Sequence, residues 1–412
     1  MKICLALLGL VMASTVCNAD EGADAHGWIL VDTHIDVPYR MNDVWVDVTG
    51  ATGDGDFDYE RAIAGGLDIP FMSIYTPPES ETDGTAWQLA NQLIDSVEAI
   101  TVRAPDRFQL AHSLADVEAA HASGKIGLAL GMENGAPIAG KLENLQHFYN
   151  RGIRYITLAH SKSNHISDSS YDENRQWDGL SDFGRDVVAE MNRLGIMIDI
   201  SHVSDAAFEQ VIELTKTPVI ASHSSARHFT PDWERNMSDD MIRALAKNGG
   251  VIQINFGSDF ISQETRDWRN TYEEVRDPFL EANRFDKDSD AADAFGLDYR
   301  EKVPFPYTNV SAVADHYDHV ISLVGVDHVG VGSDFDGVGD SLPEGLKDVS
   351  MYPALIAEFE RRGYSSADIR KILGLNLLRV WKAVEEYAAS LDMDSIPDVD
   401  EDEMPDLEDF GE

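Results

Sequence analysis

Val31-Asp32-Thr33-His34-Ile35-Asp36 is the first of eight short apolar runs, most of which end in a polar, chemistry-bearing residue. Side chains alternate along a strand, so this run predicts His34 and Asp36 on one face. The remaining runs cover residues 69–75, 126–133, 153–160, 196–202, 218–223, 250–256 and 328–335. Amphipathic stretches such as 87–100, 180–193, 205–214 and 239–247 separate them. Alternating strands and helices read as a parallel sheet, and a count of eight favours a closed (β/α)8 TIM-type barrel over an open one. No glycine-rich phosphate loop of the GxGxxG or GxxxxGKS kind follows any run, which weakens a nucleotide-binding reading. Residues 257–307, rich in charge and aromatics, read as a helical excursion after the seventh strand that could cover the barrel mouth. From Ser365, the apolar pattern through Ile369, Leu373, Leu377 and Trp381 predicts a C-terminal helix packed on the barrel.

The ends of the runs carry the chemistry. The third closes Gly131-Met132-Glu133-Asn134-Gly135, the fourth Ala159-His160, the fifth Ile200-Ser201-His202, the sixth Ser222-His223 and the eighth Ser333-Asp334-Phe335-Asp336. In a barrel all C-terminal strand ends meet at one mouth. His34, Asp36, Glu133, His202 and His223 come from four such ends, and a buried carboxylate there is costly unless something positive neutralises it. Three imidazoles and two carboxylates suit zinc, with manganese or cobalt as substitutes. Five ligands exceed what one open catalytic ion needs, so two ions are expected, with one carboxylate bridging and a water or hydroxide between them.

Other features carry less. His316 and His319 read as surface histidines, and Asp54, Asp56 and Asp58 imitate an EF-hand loop that fails at Tyr59 and Gly65. The chain has 412 residues, 74 acidic against 32 basic, a formal charge of −42. Such a surface repels nucleic acid and anionic lipid. Residues 1–19 combine Lys2, a short apolar core and Ala19, the pattern of a secretory signal peptide. That predicts an exported protein, periplasmic or secreted, with no membrane span. Cys17 raises lipoprotein anchoring, but Val16 stands where a small residue is expected. Both cysteines, Cys4 and Cys17, lie in this segment, so a mature chain has no disulfide and no thiolate ligand. Residues 20–390 form the barrel domain in this reading, and residues 391–412, with 11 acidic and no basic side chains, an acidic disordered tail.

The HxD of the first run, GMENG, LAHSKSN, IDISHVS, ASHSSAR, Arg235-Asn236 and GSDFDG together resemble the membrane (renal-type) dipeptidase family, zinc peptidases on an amidohydrolase-like barrel. The resemblance spans about residues 28–385. It implies that His34 and Asp36 bind one zinc, His202 and His223 the other, and that Glu133 bridges both. It further implies that His160 contacts the scissile carbonyl oxygen, that Arg235 takes the substrate carboxylate, and that Asp334 lies by the substrate amino end and relays protons. The substrate implied is a small dipeptide, L-L or with a D-residue second; a related amidohydrolase acting on N-acyl amino acids or small lactams, or a metal-binding protein without catalysis, are the alternatives. Asn134 departs from a glycine common in relatives, and the absent cysteines remove a disulfide-linked dimer while leaving a homodimer open.

Overall fold

The computed structural model describes residues 27–287 and 289–394. The leader segment 1–19 and the acidic segment beyond Asp394 lie outside the described residues. Among the described residues nine strands form one all-parallel sheet: β1 (Val31–Ile35), β2 (Ile69–Tyr75), β3 (Phe108–Leu110), β4 (Ile126–Glu133), β5 (Ile153–Thr157), β6 (Met197–Asp199), β7 (Ile220–Ala221), β8 (Val251–Ile254) and β9 (Val329–Val331). Eight follow the order β1-β2-β4-β5-β6-β7-β8-β9, and an Ile35–Phe335 bridge joins the last to the first, so the barrel is nearly closed. The ninth, β3, pairs with residues Ile126–Leu128 of β4. Its three residues are too few to show a period, so no sequence pattern announced it.

The helices begin where capping chemistry says they should. Ser181-Asp182, Ser204-Asp205 and Ser238-Asp239 each open a helix, the serine accepting from the backbone N–H of Gly184, Ala207 and Met241 respectively. The aspartate that follows sits in the first turn, where the helix dipole favours negative charge.

Three packed regions hold the fold, the largest joining strand residues such as Met72 and Ile252 to helix residues such as Leu93 and Val187. Inside the barrel, Val31, Ile69, Met197, Ile220 and Val251, each the first residue of its strand, meet Phe71 and Tyr155. Leu377, Val380, Trp381 and Val384 of the last helix join them, with Trp381 5.5 Å from the Phe71 ring. Their spacing places them on one helical face, which seals the end of the barrel away from the C-terminal strand ends. That helix runs Asn376–Asp394, so it takes in the first residues of the segment assigned to the tail. The excursion after β8 forms the helices Ser258–Ile261, Gln263–Asn283 and Asp290–Lys302, with an aromatic cluster of its own at Trp268, Tyr272 and Phe305. None of the described helices is long and apolar enough to cross a membrane.

One minor expectation changes, and another gains its physical reason. His316 is buried, not superficial: its Nδ1 accepts from Ala226 N–H at 3.1 Å and its Nε2 faces the Ile261 carbonyl at 3.1 Å. In the EF-hand imitation, the Arg61 guanidinium lies among Asp58, Gly55 O and Thr52, filling with a side-chain cation the space an ion would need.

Candidate active site

The structure brings His34, Asp36, Glu133, His160, His202, His223 and Asp334 to one end of the barrel. Only His34 and Glu133 lie on strands; Asp36, His160, His202, His223 and Asp334 stand just past strand ends. Several strands end before the predicted runs do, and past the strand ends the backbone turns left-handed at His202 (φ 67°), Asp334 (φ 65°), Asp336 (φ 65°) and Asn134 (φ 76°). Four non-glycine residues in that sparsely populated region, all at strand ends, mark strain held by the surrounding structure. Strict alternation also fails in β1. Its register shifts between Asp32 and Ile35, so Thr33, bonded to the Ser222 and Val331 carbonyls, and His34, bonded to Tyr155, both reach into the barrel.

Glu133 is the hub. Its Oε2 lies 3.4 Å from His34 Nε2, and its Oε1 lies 3.2 Å from His202 Nε2, 3.3 Å from His223 Nε2 and 3.5 Å from His160 Nε2. Asp36 adds a carboxylate oxygen 3.5 Å from His34 Nε2. Asp334 comes alongside because the β9–β1 closure places its N–H 3.1 Å from the His34 carbonyl. A Cβ at Gly337 would fall 2.2 Å from Asp36 Oδ2 and 2.3 Å from Asp334 Oδ1, so only glycine lets the GSDFDG turn close on this pair.

The second layer orients the imidazoles. Tyr155 donates its proton to the Thr33 carbonyl at 2.9 Å, so its oxygen accepts from His34 Nδ1–H at 2.8 Å. Ser222 donates to Asp199 Oδ2 at 2.6 Å and accepts from His223 Nδ1–H at 2.7 Å. Both rings therefore turn a lone pair at Nε2 toward Glu133, the tautomer a metal ligand requires. Asp199 also holds the Ser201 and Ser222 N–H groups, and Asp32 those of His34 and Ser333, so two buried carboxylates fix the strand ends that carry His34, His202 and His223. Gly131 matters for the same reason: a Cβ there would lie 1.9 Å from the Tyr155 ring. Sequence reasoning did not single out Tyr155, Asp199 or Asp32, although Asp32 stands two residues before His34.

The donor set fits a cation. His202 Nε2 and His223 Nε2 stand 2.8 Å apart beside a carboxylate, and buried His34 Nε2 has no hydrogen-bond partner among the described residues. Burial, then the Arg235 charge, pushes His202 well below the ordinary imidazole range; burial and then His34 do the same to His223, so both stay neutral, as ligands must be. Burial pushes Glu133 up, but the opposing histidines, His34 foremost, hold it well below the carboxylate range. Burial also pushes Asp334 up to about 8, while Asn255 donates to its Oδ2 at 2.6 Å.

A cavity of about 640 Å³ opens over these groups, lined by Asp36, Glu133, His160, His202 and Asp334 and walled by Tyr75, Tyr171 and Phe260. Arg235, 2% exposed, lies behind His202 rather than in the cavity wall. Its guanidinium donates to Ser224 Oγ at 2.6 Å and to the His223 carbonyl at 2.7 Å, reaches His202 Nε2 at 3.0 Å, and sits over the Phe260 ring.

A model of the family described as membrane dipeptidase (peptidase family M19) matches residues 25–395. The dipeptidase tcpJ of Claviceps purpurea is 34% identical over 364 residues, covering 87% of this chain and 75% of the relative. An uncharacterized dipeptidase of Schizosaccharomyces pombe is 33% identical over 384 residues, covering 88% and 82%. Among solved structures, the probable dipeptidase PvdM from Pseudomonas aeruginosa superposes with a TM-score of 0.76 at 27% identity, over 88% of this chain and 97% of that one. A Rhodobacter sphaeroides metallopeptidase, liganded with a phosphinate mimic of L-Ala-D-Ala, gives 0.71 at 25%, over 87% and 99%. Matched by one family along nearly its whole length and aligned with dipeptidases over most of it, the chain belongs to the membrane dipeptidase family, M19, and is a metallo-dipeptidase.

Proposed function

We propose that this protein hydrolyses small dipeptides with a free C-terminal carboxylate, L-L and L-D alike, using two zinc ions held by His34, Asp36, Glu133, His202 and His223. The observation that carries the two-ion reading is the division of Glu133, one oxygen toward His34 and the other toward His202 and His223. When bound, the zinc pair supplies a water acidic enough to ionise near neutral pH and a Lewis acid for the carbonyl.

The chain's own groups do the rest. His160, lowered below the usual imidazole range first by burial, offers a neutral ring whose N–H can donate to the scissile carbonyl oxygen as it gains charge. Arg235 is assigned to the substrate carboxylate, whose two oxygens its planar fork matches; from its buried place it would reach the carboxylate by the guanidinium edge now facing His202. Asp334 stands at the amino end, and a carboxyl pushed up to about 8 is suited to passing a proton to the leaving amine. Acceptance of a D-residue rests on the L-Ala-D-Ala mimic in the Rhodobacter sphaeroides relative. Manganese or cobalt would substitute in the same N/O donor set. Residues 1–19 support export to the periplasm or medium.

The test is a panel of L-L and L-D dipeptides, dipeptide amides and N-acyl amino acids, with and without chelator. Turnover of free dipeptides that chelation abolishes and zinc restores is expected, at two metals per chain by elemental analysis. Glu133→Gln should lose both metals; two metals retained with near-normal turnover would refute the bridge.

A further inference from the structure

Away from the barrel mouth, three more ligand-type side chains converge. His228 comes from the short turn Arg227–Phe229, Asp239 from the first turn of the helix Asp239–Asn248, and His319 from the helix Val310–Val324. One ligand atom from each lies within 4.8 Å of the other two. His319 Nε2 is 2.8 Å from Asp239 Oδ1, and the His228 and His319 rings stack 4.3 Å apart, 20° from parallel.

The arrangement is held from beneath. Buried His316 ties the His228 loop, through Ala226 N–H, to the helix that carries His319. The Phe229 ring lies 4.3 Å from His316 and meets His319 edge-on. An ion pair accounts for Asp239 and His319, with Arg243 3.9 Å away as a second cation for the carboxylate. It does not account for His228, which is exposed and, among the described residues, makes no hydrogen bond, yet lies face to face with another imidazole. Two imidazoles stacked face to face beside one carboxylate present the N/N/O donor set of a metal site, and binding an ion would give His228 the partner it lacks.

We propose that His228, Asp239 and His319 form a second, peripheral metal site, open to solvent, that takes a divalent transition-metal ion. Two imidazoles and one carboxylate select zinc, copper or nickel over magnesium and calcium, which prefer all-oxygen shells. The charge of −42 raises the local concentration of any such cation. The site has a structural consequence. Loop residues 226–237, which carry Arg235, close on themselves through Arg227 N–H to the Met237 carbonyl at 2.8 Å. An ion on His228 would tie the base of that loop to two helices, so binding should raise thermal stability.

The experiment adds Cu2+ to enzyme whose catalytic zinc is already in place and reads electron paramagnetic resonance beside zinc content. One further ion per chain is expected, with hyperfine structure from two imidazole nitrogens and a rise in Tm. His228→Ala and His319→Gln should each weaken it by roughly tenfold or more, leaving zinc content and the turnover of copper-free enzyme unchanged. Because His228 is exposed, its variant is expected to fold, and a metal-free melting curve checks this. Equal copper binding by wild type and His228→Ala would overturn the proposal, whether copper had displaced catalytic zinc or bound elsewhere. So would the absence of any ion beyond the catalytic complement at saturating copper.

Discussion

Tyr155 acts on the catalytic centre through His34, whose Nδ1 it holds at 2.8 Å. Its replacement by phenylalanine keeps the ring that fills the barrel and removes the acceptor that sets the tautomer. We expect Tyr155→Phe to weaken metal binding by about 10- to 100-fold while leaving the melting temperature close to wild type, because an outer partner of a ligating histidine has that leverage. Competition against a chelator measures it, and unchanged affinity would mean that His34 is oriented by packing alone. Arg235 is the second test at this scale. Arg235→Lys should keep full zinc occupancy and lower kcat/KM by roughly ten- to a hundredfold, the loss of about 1.5–3 kcal/mol of charge-assisted pairing. On a dipeptide amide the penalty should shrink, since the carboxylate is already missing; equal losses on both substrates would make Arg235 a support for Ser224 and His223 instead.

At the scale of elements, the helix Val310–Val324 is joined to the loop after β7 by one buried imidazole. Burial pushes His316 down to about 3, so it is neutral in the folded protein at any ordinary pH. In the unfolded chain it titrates near 6.5, so the unfolded state takes up a proton that the native state refuses. Its contribution is therefore complete above pH 6.5 and is lost as pH falls toward 3, at about 1.4 kcal/mol per pH unit. His316→Gln should be less stable at pH 7.5 and should lose stability less steeply between pH 6.5 and 4.5, by one proton. Parallel stability profiles for the two proteins would show that the imidazole is reached by solvent protons without unfolding.

For the whole molecule the governing quantities are charge and the seal on the barrel. Deletion of residues 395–412, nine of them acidic, should leave kcat/KM unchanged and Tm unchanged or slightly raised, because it relieves repulsion in a chain of −42 and spares the helix ending at Asp394. A large fall in Tm would show that this segment docks. Trp381, by contrast, is fully buried against Phe71. Trp381→Ala should cost about 3–5 kcal/mol by opening a cavity at the closed end of the barrel, while whatever remains folded keeps its turnover number. A similar loss in kcat would mean that the seal transmits strain to the mouth.

The sequence alone determined the barrel and the polar residues at its strand ends, because both are local properties. Apolar runs, serine caps and polar run-ends can be read within a dozen residues, and the eight barrel strands fall inside the eight runs. The HxD pair was legible for a weaker reason than alternation, since β1 is irregular between Asp32 and Ile35 and its inward side chains are set by closure against Phe335. Only the tertiary structure decided what orients these side chains. Tyr155 meets His34 from 121 positions away and Asp199 meets Ser222 from 23, distances over which composition and periodicity carry no information. The same holds for His319, read with His316 as a surface histidine until a helix from elsewhere in the chain sets Asp239 against it. Local pattern specifies which elements form; contacts between elements, made only when the barrel closes, specify what each polar side chain faces.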